Sequence, residues 1–359
     1  MAKSIAIVYD APQPSYYDSN QESKAVLGVV ACVEAVQEAL HKLKYDVSTV
    51  PLSPPPERVR ETLVKLETSL VFNLFEGFPG QSRSEPLVPD ILSEIDKPYT
   101  GCSGTALKAA LDKFNAKKML RAVGIPTPDF QLLNPGKIKL FRLNFPCIVK
   151  PCYQDASHGI TPESVVNDLT SLKQRVEMIY DNYHNPSLVE EYIDGREFNA
   201  TVLGSAHPEV LPVSEIVYTL PLEMPAILTY EAKWEENSIY YRNTRAVCPA
   251  GITGRERESI KKLALSAFSL LHCFGYARVD MRMDKSGQLN VIEINPNPDI
   301  SPEAGVAIQA SAAGMTYTRL IEKIVKLALD RKNDGYKATP HISFRQNRLI
   351  TNIKRHARI

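Results

Sequence analysis

Along its first third the chain alternates between two hydrophobic periods. Residues 4–9, Ser-Ile-Ala-Ile-Val-Tyr, form a short apolar run rich in branched side chains, which predicts a buried first strand. Residues 25–43 then repeat apolar positions at intervals of three and four, the spacing of one helix face. Asp46-Val-Ser-Thr-Val50 reads as a second strand, stopped by Pro51, and the Pro54-Pro55-Pro56 run leads into a helix from about residue 57. Leu70-Val-Phe-Asn-Leu74 predicts a third strand, and residues 85–95 a further helix. Strands separated by helices imply a parallel, doubly wound sheet.

The pattern then changes. Residues 112–123 predict a helix closed sharply by Gly124-Ile-Pro-Thr-Pro128. Phe145-Pro-Cys-Ile-Val-Lys150 is an apolar strand that ends on a lysine, residues 167–180 are amphipathic, and Ser187-Leu-Val-Glu-Glu-Tyr192 predicts another strand. Strand signals dominate until a helix over residues 256–274. Two strands follow, at 277–283 and 289–294, joined by the Asp284-Lys-Ser-Gly287 turn, and a last helix covers 316–329. This second part reads as α+β.

Composition narrows the function. With 359 residues, the prior of about 150 per domain gives roughly two or three domains. The formal net charge of +1 argues against a uniformly basic nucleic-acid binder. No apolar run reaches the length of about 18 residues that a membrane span needs. The start enters a strand pattern without a signal-peptide region, so a cytoplasmic protein is expected. Six scattered cysteines without a C-x-x-C pair favour neither a disulfide framework nor zinc. Neither a Gly-x-Gly-x-x-Gly fingerprint nor a P-loop occurs, which disfavours a dehydrogenase and a Walker NTPase.

Chemistry concentrates near the end. In Arg278-Val-Asp280-Met-Arg282 and Val291-Ile-Glu293-Ile-Asn295, period-two alternation puts Arg278 with Asp280 on one strand face and Glu293 with Asn295 on another. Oxygen donors of this kind suit Mg²⁺, which takes a few carboxylates and completes its shell with phosphate and water. An adjacent arginine could stabilise charge on a transferring phosphoryl or acyl group. Salt-bridged hairpin strands would look similar. Lys150 at a strand end, Lys113 at a helix start and Lys233 in Tyr-Glu-Ala-Lys-Trp could together neutralise a triphosphate, although each alone reads as a surface lysine.

The order of these segments resembles the ATP-grasp superfamily, most closely the D-alanine–D-alanine ligase family. The matching stretches are Pro98-Tyr-Thr-Gly-Cys-Ser-Gly-Thr-Ala-Leu-Lys-Ala-Ala-Leu-Asp-Lys113, Phe145-Pro-Cys-Ile-Val-Lys-Pro151 and Leu188-Val-Glu-Glu-Tyr-Ile-Asp-Gly-Arg-Glu-Phe198. Tyr230-Glu-Ala-Lys-Trp234, Cys248-Pro-Ala250 and the 278–295 constellation complete the set. The resemblance covers residues 98–329. It implies an ATP-grasp fold preceded by a Rossmann-like parallel-sheet domain, with an N-terminal substrate domain at 1–103, a central subdomain at 104–189 and a catalytic subdomain at 190–330. Residues 331–359 would be a basic C-terminal extension. The reaction implied joins a carboxylate to an amine through an acyl phosphate, with ATP as phosphoryl donor. The alternatives are an authentic D-alanine–D-alanine ligase and a non-catalytic ATP-binding regulator.

By the same resemblance, Lys113 and Lys150 would contact the α- and β-phosphates. Glu190, Glu191 and Ile193 would line the adenine edge, the last two through backbone groups, and Glu197 would take the ribose hydroxyls. Lys233 would meet the γ-phosphate from a lid at residues 220–250. Asp280, Glu293 and Asn295 would hold two Mg²⁺ ions, with Mn²⁺ as the alternative, and Arg278 would steady the acyl phosphate. The substrates would be a small-molecule or peptide carboxylate and an amine, and the protein a homodimer.

The departures point away from two D-alanines. The Gly-rich, glutamate-bearing start of the family is replaced by Asp10-Ala-Pro-Gln-Pro-Ser-Tyr-Tyr-Asp18, and its His-Gly segment by Asn73-Leu-Phe-Glu-Gly77. Its phosphate-loop serine falls at Ala156 and its lid tyrosine at Trp234, so the serine–tyrosine–glutamate triad cannot form. Its glycine after the metal asparagine falls at Asp299. Glu76 and Asp299 are candidates for a substrate amine, His158 for phosphate or substrate, and Tyr17 for a substrate-facing loop beyond the first strand. Charge is also uneven: residues 331–359 carry eight basic side chains against one acid, Asp334, leaving the rest of the chain net acidic. That tail is either solvated or docks on an acidic partner or substrate.

Overall fold

The three apolar runs at the start of the chain pair as parallel strands, in a computed structural model that describes residues 3–11, 23–78, 81–154 and 157–331. Strand β1 (Ser4–Asp10) is central, followed by helix α1 (Ser23–Lys42) and by β2 (Asp46–Leu52) at one edge. Pro51 does not end β2 as expected: the strand runs on to Leu52, with Pro51 opposite Tyr9. An edge strand tolerates the missing N–H because one side of it bonds no neighbour. Helix α2 (Pro56–Lys65), β3 (Leu70–Leu74) and α3 (Leu87–Glu94) complete this layer. Helices α2 and α3 bury Val59, Leu63, Val88 and Leu92 against one face of the sheet.

Helices α4 (Gly104–Leu111) and α5 (Lys113–Ala122) follow, broken at Asp112, whose carboxylate caps α5 by accepting the Asn115 N–H at 3.0 Å. An antiparallel sheet is next: β4 (Phe130–Leu133), β5 (Cys147–Pro151), β6 (Val165–Val166) and, after helix α6 (Leu169–Tyr183), β7 (Ser187–Glu191). Their order is β4-β7-β5-β6. Leu172, Val176 and Ile179 of α6 are buried on it.

The large antiparallel sheet contains β8 (Arg196–Gly204), β9 (Glu209–Val210), β10 (Ser214–Tyr218) and β11 (Thr244–Val247), with short helices α7 (Tyr230–Trp234) and α8 (Ile239–Arg242) inserted before β11. After helix α9 (Gly254–Leu270), β12 (Gly275–Met283) and β13 (Leu289–Pro296) finish it in the order β11-β10-β8-β12-β13. Helices α4, α5 and α9 bury their apolar faces here. Helices α10 (Gly305–Ala312) and α11 (Tyr317–Asp330) are the last elements among the described residues. Leu320, Ile324 and Val325 of α11 share one core with Val33, Val36 and Leu40 of α1 and with Leu203 and Tyr276 of the large sheet. Helix α11 thereby fixes the first sheet to the last. No helix among the described residues is long and apolar enough to cross a membrane.

Candidate active site

Strands β12 and β13 set the register on which the site depends. Arg278 lies opposite Asn295 and Asp280 opposite Glu293, with a bulge just beyond Asp280. A bulge inserts an extra residue and re-aims the side chains beside it. The Arg278 guanidinium grips both Asp280 oxygens, at 2.7 and 2.8 Å. The same carboxylate accepts from Asn295 Nδ2 at 2.9 Å and Asn199 Nδ2 at 2.7 Å. Glu293 pairs with Lys113 Nζ, at the start of α5, at 2.8 Å. Burial pushes the Glu293 carboxyl up, but Lys113, Lys150 and Arg278 outweigh it and hold it at about 2. Burial pulls Arg278 down, and Asp280, Glu293 and Asp299 together carry it above its ordinary value.

A second charged cluster lies on α5, β5 and β7. Glu190 is 1 % exposed and pairs with Lys150 Nζ at 2.6 Å and with Lys117, itself 3 % exposed. Lys117 also donates to Thr127 Oγ1 at 2.8 Å. Burial raises the Glu190 carboxyl while Lys117 and Lys150 more than offset that, leaving it below its ordinary value; burial draws Lys117 downward. Lys113 stands at the first position of α5, where the helix dipole disfavours a cation. Helix stability therefore does not account for a lysine there; its ion pair with Glu293 at the cleft does.

Strand β8 supplies the third cluster. Glu197 accepts from Arg282 Nη2 at 2.6 Å and from the Tyr218 hydroxyl at 2.8 Å, and Arg282 Nη1 donates to the Ile193 carbonyl at 2.8 Å. Glu191 accepts from Asn144 Nδ2 at 3.2 Å, and its N–H donates to the Asp129 carbonyl at 2.9 Å. Lys233, on α7, lies in the cleft, where burial lowers its ammonium, Arg278 adds to the effect, and Asp280, Glu293 and Glu197 oppose it. The segment after β5 is held at Gly159, whose carbonyl accepts from the buried Arg175. A Cβ at Gly159 would come within 2.9 Å of Pro151 and Tyr183, and its φ is +70°.

These clusters line one cleft of about 1170 Å³. Lys113, Lys150, Glu190, Glu191, Ile193, Glu197, Lys233, Arg278, Asp280, Glu293 and Asn295 all face it, so every nucleotide and metal candidate from the sequence converges. Glu76, His158 and Asp299 line it too. The Glu76 N–H donates to Asp10 Oδ1 at 3.2 Å, and burial raises the Asp10 carboxyl. Asp299 accepts from the Ser301 N–H at 2.8 Å, starting the loop after β13. Tyr17 and Ala156 lie outside the described residues.

The donor set fits Mg²⁺ in its phosphate-bound mode. Asp280, Glu293 and Asn295 offer hard oxygens only, and among the described residues no cluster of three acidic, His or Cys side chains forms an all-protein cage. Mg²⁺ at a nucleotide takes one or two carboxylates and the substrate's phosphates rather than such a cage. Lys113 and Arg278 now neutralise the two carboxylates that an ion would share.

Sequence reasoning missed Lys117, Asn199 and Tyr218, and left Arg282 without a role. Lys117 carried a usable signal, because it falls one turn after Lys113 on the same helix. Arg282 alternates with Arg278 and Asp280 along β12. Asn199 and Tyr218 reach their carboxylates only through strand pairing across β8, β10 and β12, which no local pattern reveals.

A parallel sheet followed by two antiparallel sheets that enclose a lysine- and carboxylate-lined cleft defines a nucleotide-dependent ligase architecture. The comparisons with known proteins agree. The family model "D-ala D-ala ligase C-terminus" matches residues 119–326. The uncharacterized protein y4sG of Sinorhizobium fredii is 35% identical over 302 residues, covering 82% of this chain and 85% of the relative. The D-alanine–D-alanine ligase of Haemophilus influenzae is 29% identical, covering 82% and 94%. Among solved structures, the Bacillus anthracis D-alanine–D-alanine ligase complexed with ATP superposes with a TM-score of 0.71 at 21% identity, over 93% of this chain and 99% of that one. The VanG D-Ala:D-Ser ligase of Enterococcus faecalis gives 0.70 at 20% identity, over 91% and 100%. The chain belongs to the D-alanine–D-alanine ligase family of ATP-grasp ligases.

Proposed function

We propose that this protein is an ATP-dependent carboxylate–amine ligase whose substrate pair is not two D-alanines. The observation that carries the reading is the meeting, in one cleft, of the Lys113–Lys150 pair with the Arg278–Asp280 and Glu293–Asn295 strand pair. Lys113, Lys150 and Lys233 would bind the triphosphate as cations. A substrate carboxylate oxygen attacks the γ-phosphorus, the bond to the β-phosphate oxygen breaks, and ADP leaves. The amine then attacks the acyl carbon, the phosphate leaves with the C–O bond's electron pair, and the amine's proton is lost. Arg278, fixed by Asp280, would hold the negative charge that gathers on the carbonyl oxygen. Asp280, Glu293 and Asn295 would hold Mg²⁺, which supplies charge neutralisation on the phosphates. Glu197 would meet the ribose, and the main chain near Glu191 and Ile193 the adenine.

Substrate identity is argued from differences within the cleft. Asp299 stands where the family resemblance places a glycine, and Trp234 where it places a tyrosine. Asp10, Glu76, Asp299 and Glu303 line the cleft as acids and would favour a cationic amine. Phosphate release from Mg²⁺–ATP should therefore require both an acid and an amine, and Glu293→Gln should abolish it. D-alanine alone should give no dipeptide at the rate of the preferred pair; formation at that rate would make this a D-alanine–D-alanine ligase instead.

A further inference from the structure

Among the contacts that tie the lid segment to the rest of the molecule, which include Tyr192 and Arg282 donating to the Ala226 carbonyl, two aromatic ones flank Lys233. At the start of α7, the Tyr230 N–H donates to the Ile160 carbonyl at 3.1 Å, and the Tyr230 ring meets the edge of His158 with centroids 5.8 Å apart. At the end of α7, Trp234 lies 6.4 Å from Tyr230, centroid to centroid, and its six-membered ring reaches over Gly28 of α1. A Cβ built on Gly28 would meet Trp234 Cη2 at 3.7 Å and Cζ3 at 4.0 Å. The lid thus bridges residues 158–160 and helix α1 at the cleft, whose lining includes His158, Ile160, Gly28 and Trp234.

Gly28 is costly where it stands. Glycine inside a helix loses about 1 kcal/mol relative to alanine. Gly28 lies in the interior of α1, and no positive φ calls for it. What it does provide is a bare patch of helix surface under a large ring. Alanine would still fit, at ordinary van der Waals distance, whereas a longer side chain turned toward the lid would compete with the ring for that space. Trp234 directly follows Lys233, so the seat of the indole sets where the lysine stem begins. The ammonium reaches a position where it feels Arg278, Asp280 and Glu293 at once.

We propose that Trp234 is a positioning residue: its indole docks on Gly28 and, with Tyr230 on His158, holds the lid so that Lys233 stays over the Arg278–Asp280–Glu293 cluster. The site's chemistry is taken from the proposed ligase reading, on which the catalytic part of this inference rests; the docking contact stands without it. The contact joins the N-terminal layer, which lines the acidic end of the cleft, to the element that carries a phosphate-facing lysine. Substrate held against the N-terminal layer and nucleotide held by the lysines would then favour the same closed arrangement.

The sequence provides a direct probe, because Trp234 is the chain's single tryptophan. Acrylamide quenching of the full-length protein without nucleotide reads the docking alone. Gly28→Leu should raise the quenching constant about twofold or more by opening the seat, while Gly28→Ala should leave the ring shielded. Leucine is a good helix former, so circular dichroism should show α1 retained. In turnover, Gly28→Leu should lower kcat about tenfold while the affinity for the β,γ-imido analogue of ATP changes less than about threefold. Trp234→Phe should restore more of kcat than Trp234→Ala. Equal quenching of the native and Gly28→Leu proteins would overturn the docking. A rise in quenching with kcat unchanged would overturn the positioning role. Native protein that binds no nucleotide and releases no phosphate would contradict the ligase reading and remove Lys233's task, while the quenching result would still decide the contact.

Discussion

Glu190 carries two ammonium groups on one buried carboxylate, and this makes it the charge whose removal should be felt most. Glu190→Gln would leave Lys117 enclosed without its counter-charge, a change that costs about 3–5 kcal/mol. Urea unfolding should show that loss; a change under about 1 kcal/mol would mean that the pair is dispensable. The pH dependence has a definite sign. The folded-state pKa of Glu190 is depressed, so its contribution is complete above the ordinary carboxylate value of about 4.3 and is lost as pH falls through the lower folded value. The stability gap between native protein and Glu190→Gln should therefore narrow on acidification below about pH 4. On the proposed ligase reading, Arg278 serves the chemistry instead. Arg278→Lys keeps the charge but loses the two-pronged grip on Asp280, and kcat for phosphate release should fall about 10²-fold or more.

Between the N-terminal sheet and α4, Gly101 and Asn297 interlock. Gly101 has φ +84°, and a Cβ there would sit 2.3 Å from Asn297 Oδ1, the atom that accepts the Cys102 N–H at 2.6 Å. Asn297 follows Asn295 by two residues, so Gly101→Ala should disturb the end of β13 as well as the fold. The expected loss is about 2 kcal/mol in denaturant unfolding, accompanied by reduced turnover; an unaffected midpoint would contradict the interlock. At this scale the sequence was legible where a period was strong. Strand β3 was read at its observed limits, residues 70–74, and β12, β13 and α11 within a few residues, because continuous apolar runs and a clear amphipathic stripe leave few options. Helix α10 was not seen, since Gly-Val-Ala-Ile-Gln-Ala-Ser-Ala has no polar stripe to give it a period. Helices α7 and α8 are one turn each, too short for any periodicity, and they were absorbed into a strand-rich stretch. Within the site, residues that act along one strand or at a helix start were readable. Those that act across strands, such as Asn199 on Asp280, were not, because their partners are brought near only by the register of the sheet.

Across the whole molecule, α11 and Arg331 tie the N-terminal layer to the large sheet. The Arg331 guanidinium lies between the rings of Tyr99, at 4.2 Å, and Phe274, at 4.0 Å, and donates to the Gly101 carbonyl. It is the first of the eight basic residues counted in the C-terminal extension, and it is a packing group; residues 332–359 lie outside the described residues. Arg331→Ala should lower stability by about 1–2 kcal/mol, read by thermal unfolding, since two cation–ring contacts and a hydrogen bond are lost together. An unchanged melting temperature would show that the stacked arginine does not hold the layers together. On the proposed reading, the lysine, arginine and carboxylate clusters of this one cleft join a carboxylate to an amine at the expense of ATP. The most direct measurement is a panel of carboxylic acids crossed with amines, D-alanine included, incubated with the full-length protein, ATP and Mg²⁺ and read by phosphate release and product mass. One acid–amine pair should give a product of the summed masses less one water, with one ADP and one phosphate per bond. Release of AMP and pyrophosphate, or ATP binding without turnover across the panel, would contradict it.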